Sequence, residues 1–162
     1  MVFHVRSGNP ADTVRTYTVE PGKHLTDVWN ATSSYNLSVY GPNGFVRSFT
    51  GSIGQGVAIL DVSAEYEKED RGAIEWRITN VGGSQAEVSV LDAYTGNSTT
   101  QPLQPRESFE NEFSLHKVFG WYDLIVTVVG DPTFQYRLAG HVETGKDSIS
   151  DPALGGVVSL KG

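Results

Sequence analysis

The sequence predicts an all-β protein: two tandem immunoglobulin- or fibronectin-like antiparallel β-sandwich units, the first lacking its leading strands. Three observations carry that expectation. Apolar and polar residues alternate with period two along most of the chain, and no window holds a 3.6-residue period. Gly, Pro and Asn breaks recur about every ten residues, the spacing of a sandwich. One pattern is also written twice, as YNLSVYGPNGFVRSFTG at 35–51 and, more loosely, as YDLIVTVVGDPTFQYRLAG at 122–140.

The strands follow in order from β-branched and aromatic enrichment between turn signals. VFHVR at 2–6 and TVRTYTV at 13–19 open the chain, and Pro21 begins PGKHLTDVW, a strand at 23–29 with Leu25, Asp27 and Trp29 on one side. Tyr35, Leu37 and Val39 give 34–40 one apolar face, and Phe45, Arg47, Phe49 and Gly51 set the face of 44–52. Between them GPNGF is a hairpin turn, in which Pro42 fixes φ while Asn43 and Gly44 tolerate positive φ. The Gly-rich GSIGQG at 51–56 marks a boundary, so the first unit is 1–56.

The second unit, 57–145, has two strands in front that the first lacks, 57–66 and 73–80, with Ile74, Trp76 and Ile78 on one face of AIEWRITN. EYEKEDRG at 65–72 is the solvated turn between them. QAEVSVLDAY, in the strand at 85–94, then corresponds to VFHVRSGN, the next strand is 98–103, and PRESFENEF, leading through 107–115, corresponds to PGKHLTDVW. The strands at 120–129 and 133–143 repeat Tyr-x-Leu-x-Val in Tyr122, Leu124 and Val126. GWYDL at 120–124 has the spacing of a tyrosine corner. The tail, 146–162, holds one apolar run, VVSL at 157–160, a candidate extra strand.

The 162 residues suffice to bury a core in each unit. There is no cysteine, which removes disulfides and thiolate chemistry. A net charge of −7 argues against nucleic acid. Four basic and three acidic residues stand in 1–56, against six basic and fourteen acidic in 57–145, so anionic bilayers are expected to repel the second unit or to leave it unattracted. The longest apolar run, LIVTVV at 124–129, is far short of the roughly 18 residues of a membrane span. The first residues show neither the basic region nor the apolar core of a signal peptide.

No motif nominates a reaction. His4, His24, His116 and His141 lack metal-ligand spacing, so no metal, cofactor or catalytic residue is predicted. Alternation puts Trp29, Trp76 and Tyr122 in the core and leaves Trp121 outside, where it and Tyr40 are candidate contacts for a ligand or partner. Asp27 and Asn111 fall at equivalent positions on the apolar side of their strands. A polar group there needs a partner or costs about 1–3 kcal/mol, which predicts hydrogen bonding to a neighbouring loop, with ligand contact as the functional alternative.

The blocks Tyr-x-Leu-x-Val-x-Gly-Pro-Asn-Gly-Phe at 35–45 and Pro-Gly-x-x-Leu-x-x-x-Trp at 21–29 carry a resemblance. With them, residues 2–145 resemble the C-terminal repeat region of bacterial phosphocholine-preferring phospholipases C. The second unit departs from the pattern, with VGDPTF at 129–134 in place of Gly-Pro-Asn-Gly-Phe. The resemblance implies a non-catalytic accessory module of a secreted or periplasmic enzyme that cleaves the headgroup from phosphatidylcholine or sphingomyelin. Its implied partner is the catalytic domain of the same polypeptide, with a choline-lipid surface or a partner protein as further candidates. A stand-alone carbohydrate-binding or adhesion sandwich is the alternative. Two missing strands would bare Phe3, Val5 and Trp29, to be covered by the tail, by a second copy in a homodimer, or by the second unit.

Overall fold

A computed structural model describes residues 1–66, 72–143, 145 and 147–151. The described residues are all-β apart from a 3-10 turn at His116–Val118. Its strands are β1 Val2–Ser7, β2 Arg15–Thr18, β3 Ser34–Tyr40, β4 Val46–Ser52, β5 Leu60–Tyr66, β6 Ala73–Asn80, β7 Ala86–Asp92, β8 Ser98–Leu103, β9 Ser108–Ser114, β10 Trp121–Val128 and β11 Asp131–His141. They form an eight-stranded sheet in the order β2-β1-β3-β4-β11-β10-β7-β8 and a three-stranded sheet in the order β5-β6-β9. The expected turn at 65–72 falls largely on residues outside the described ones, as does the expected strand at 157–160.

The large sheet reads the same from either edge. Its first four strands come from residues 2–52 and its last four from 86–141, and the halves meet where β4 pairs antiparallel with β11. At that seam Arg47 lies opposite Leu138 and Phe49 opposite Tyr136, with Ser48 and Arg137 at the centre. Exchanging sequence counterparts, Arg47 for Tyr136 and Phe49 for Leu138, returns the same register. An approximate two-fold therefore runs through the Ser48–Arg137 pair. Two sandwiches are expected to lie in tandem; in the structure each half gives its β4 or β11 edge to the other, which pairs backbone groups that would otherwise be bare.

The hairpin turns do what their residues dictate. Asn43 and Gly44 take φ of 54° and 68°, and the Phe45 N–H donates to the Pro42 carbonyl at 3.1 Å. Glu20–Lys23 and Gln104–Glu107 are the same turn twice, with proline second, a positive φ third (Gly22 73°, Arg106 69°) and closing bonds of 3.1 and 3.0 Å.

Beyond these two turns the halves diverge. β9 leaves the second and pairs with β6, placing Phe109 opposite Ile78 and Phe113 opposite Ile74. Residues 23–29, expected as a strand, form none, and most of them are exposed. No counterpart of β6 exists in the first half among the described residues, so their amides and carbonyls have no ladder to join.

The core has the same asymmetry. Among the described residues, its main buried cluster comes from residues 60–142, where Ile74, Trp76 and Ile78 of the small sheet meet Val88, Val90, Leu124 and Val126 of the large one. In the first half Val5 is buried, while Phe3, Leu37 and Val39 are half exposed and Leu25 is 50 % exposed. Trp29, expected in the core, is only half buried. Among the described residues, one half is a two-layer sandwich and the other a single layer with an open face.

Candidate functional site

The inner face of the large sheet carries a tyrosine ladder across the seam. Tyr35 and Tyr122 are counterparts, and each lies across a glycine directly opposite, Gly51 and Gly140. The Tyr35 hydroxyl reaches that of Tyr136 at 3.1 Å, while Arg47, the counterpart of Tyr136, donates to the Tyr122 hydroxyl at 2.9 Å. Each half thus holds the tyrosine of the other. Tyr66 adds a third hydroxyl 2.9 Å from that of Tyr122. The tyrosine-corner expectation is corrected here: the bonds of the Tyr122 hydroxyl go to side chains of β4 and β5 instead of upstream backbone, because the seam brings Arg47 to it.

Burial, acting first, pushes the Tyr35, Tyr94 and Tyr122 hydroxyls above their ordinary value of 10.0. A raised acid favours the neutral form in the folded state, so its stabilisation is complete below about pH 10 and is lost as pH rises further. Thermal melts from about pH 9 to 11 should show the melting temperature falling above pH 10. The fall should be shallower in Tyr122→Phe, which has one such group fewer.

On the open inner face, Asp27 is gripped by the Tyr17 hydroxyl and by Arg15 at 2.6 Å, and its Oδ1 accepts from the Val28 N–H at 2.7 Å. Those bonds, Tyr17's first, hold its carboxyl down at about 2. The grip therefore persists above the ordinary carboxylate value and fails only as pH falls toward 2. Arg15 also stacks 3.9 Å from the Trp29 ring centre, which clasps the 23–29 segment to β2. The expected partner was a loop backbone; β2 side chains take that place. Asn111 repeats the local bond, its Oδ1 accepting from the Glu112 N–H at 2.8 Å, but it is exposed and lines neither the Asp27 groove nor the Trp121 pocket. Around Asp27 and Trp29, Phe3, Leu25, Val39 and Phe45 line an apolar groove of ≈ 390 Å³.

Trp121 and Tyr40, though 81 residues apart by number, come together on the outer face. They share a pocket of ≈ 420 Å³ at the seam with Tyr94, a floor of Ser38, Ser48 and Ala139, and the pair Asp123–Arg137. Asp123 is buried and takes two bonds from Arg137, at 2.7 and 2.5 Å. Gly44 makes room for the indole, since a Cβ there would lie 2.7 Å from Trp121 Cζ3. Aromatic walls around small polar groups can hold a polyol ring or a cation by stacking. The sequence nominates Trp121 and Tyr40 as candidate contacts and does not nominate Tyr94, Asp123 or Arg137, which share the pocket with them. Period two does put Asp123 on the Trp121 side of β10, and that was the available signal.

One cluster has the order of a nucleophile, a base and an acid. The Ser148 hydroxyl lies 2.8 Å from His141 Nε2, and His141 Nδ1 lies 3.3 Å from Glu143. The Phe119 carbonyl, however, stands 3.0 Å from Nε2 and 2.9 Å from the serine hydroxyl. An acceptor-only group there favours Nε2 as a donor and takes the serine proton, so the imidazole is not placed to act as its base. The cluster clasps the 147–151 segment to the end of β11. No group of three or more metal-ligating side chains occurs among the described residues, and no helix among them is long and apolar enough to cross a membrane.

The family described as "Bacterial phospholipase C, C-terminal domain" matches residues 1–52 and 60–141, the segments that hold the two halves of the sheet. The chain is 38% identical to the non-hemolytic phospholipase C of Burkholderia pseudomallei (strain K96243), over 94% of this chain and 23% of that protein. It is 37% identical to the hemolytic phospholipase C of Pseudomonas aeruginosa, over 94% of this chain and 23% of that one. With the non-hemolytic phospholipase C of the same organism the identity is 31%, over 87% and 22%. The chain thus spans less than a quarter of the length of these relatives.

Proposed function

The chain belongs to the family of bacterial phospholipase C C-terminal domains, and from that premise we propose that it is a non-catalytic accessory module of a larger, secreted phospholipase C polypeptide. In this reading it is two copies of one immunoglobulin-like unit, 1–56 incomplete and 57–145 complete. The palindromic strand order and the duplicated Pro-containing turns support the duplication. The observation that carries the function is the family match to both halves of a chain spanning only 22–23% of its relatives. The rest of the parent protein supplies the chemistry, which is cleavage of a phosphodiester in a choline-type lipid. This module supplies a rigid sheet with two contact surfaces, the apolar groove at Leu25 and the aromatic pocket at Trp121.

The purified chain should release no phosphocholine from phosphatidylcholine, sphingomyelin or p-nitrophenyl phosphorylcholine above a buffer control, while the full-length parent does so. Turnover by the chain alone that survives repurification and disappears in His141→Ala would overturn the reading and hand the chemistry to the Ser148–His141–Glu143 cluster.

A further inference from the structure

We propose that the open face of the first half is closed by two antiparallel strands of the same polypeptide lying directly upstream of residue 1, with residues 23–29 straightening to become the third strand of the sheet they build. The inference rests on the reading of the chain as part of a longer phospholipase C, and it adds which segment of that protein docks here and in what register.

The turn geometry comes first. Glu20–Lys23 and Gln104–Glu107 carry the same proline, the same positive φ and the same closing bond. Four residues past each turn, Asp27 and Asn111 make the same bond to the next N–H. The segment after the first turn is therefore launched as β9 is. β9 finds β6, and residues 23–29 find nothing among the described residues to pair with. Their strand-forming pattern is intact, with Leu25, Asp27 and Trp29 matching Phe109, Asn111 and Phe113. What they lack, among the described residues, is a partner strand.

The second observation is chain order. In the second half the covering strands β5 and β6 directly precede β7, and β7 is the counterpart of β1 under the two-fold, since Val5 faces Val39 as Val90 faces Val126. Covering strands in the same relation to the first half precede β1. The relatives, four times longer than the matched segment, have chain to supply them.

The third is the groove, whose apolar lining needs inward-facing apolar residues opposite it. Register carries the correspondence to single positions. Trp76 lies opposite Asn111, Ile78 opposite Phe109 and Ile74 opposite Phe113. The incoming central strand accordingly sets a large aromatic opposite Asp27, an aliphatic residue opposite Leu25 and another opposite Trp29.

Hydrogen exchange followed by mass spectrometry, on the full-length parent protein and on the 162-residue chain, reads this without any assay of hydrolysis, so its failure is separable from a failure of the functional reading. In the parent, amides 24–29 should exchange at least about tenfold more slowly than in the chain. Peptides from the upstream stretch corresponding to residues 58–85 should be protected with them. Leu25→Asp should erase that difference in the parent and leave the chain unchanged, because Leu25 is already half exposed there. Equal, fast exchange in both proteins overturns the proposal. Slow exchange in a chain that sediments as a dimer gives the face to a second copy, and slow exchange in a monomeric chain gives it to a segment of the chain itself. Protection of 24–29 in the parent without protection of the upstream stretch gives it to another part of the enzyme. Each of the last three results contradicts the proposal as well.

Discussion

Replacing Trp76 by alanine should lower the unfolding free energy by about 3–5 kcal/mol, the cost of removing a large aromatic from a packed core. Trp76 is 2 % exposed at the centre of the three-stranded sheet. Its ring lies 5.0 Å from that of Phe109 and stacks 6.1 Å from that of Phe113. With Ile74 and Ile78 it packs between the small sheet and the large one, so truncation opens a cavity between layers where the surrounding strands are held by their ladders. Its indole N–H meets no acceptor among the described residues. Phenylalanine removes that buried donor along with some volume and should therefore cost much less than alanine. Denaturant titration of the two variants checks the order. Equal losses would mean that the indole N–H, and not ring volume, decides the site.

Gly140→Val should cost roughly 2–3 kcal/mol and Gly51→Val roughly 1 kcal/mol, within the range for overpacking. A Cβ at Gly140 would stand 2.7 Å from the Tyr122 hydroxyl, and one at Gly51 would stand closer still to that of Tyr35. Distance alone would make Gly51 the worse site. Room to move reverses the order: Tyr122 is 2 % exposed, under the small sheet, and bonded to Arg47 and Tyr66, whereas Tyr35 is half exposed beside the open face and can swing away. Parallel chemical melts measure the difference, and a larger loss at Gly51 would show that the first half is as closely covered as the second.

Strands and faces were legible because alternation is local. Tyr35, Leu37 and Val39 declare one side of β3 whatever lies next to it. Pairing is not local, and the departures all come from pairing. Residues 23–29 have the pattern of a strand and form none, because the partner that would fix them is missing from the first half. The β4–β11 seam cannot be read from Phe49 or Tyr136, since alternation says which way a side chain points and nothing about which strand stands beside it. For the same reason the outer pocket was half visible: Trp121 and Tyr40 are outward residues by period, but only the register of four strands brings them to Arg137 and Asp123. Asp27 was marked as polar on an apolar side; Arg15 and Tyr17, its partners from β2, had no signal beyond their own alternation.

Among the described residues, one sheet is shared by a covered half and an open half. Residue-resolved amide hydrogen exchange on the chain by itself tests this most directly, because local opening tracks how much apolar cover a strand has. Amides of β6, β7 and β10 should exchange only through global unfolding, while those of β1, β2 and residues 23–29 should exchange faster by at least about tenfold. If the amides of β1 and β2 prove as slow as those of β7 and β10, the first half is covered in the chain itself and the sheet has no open half.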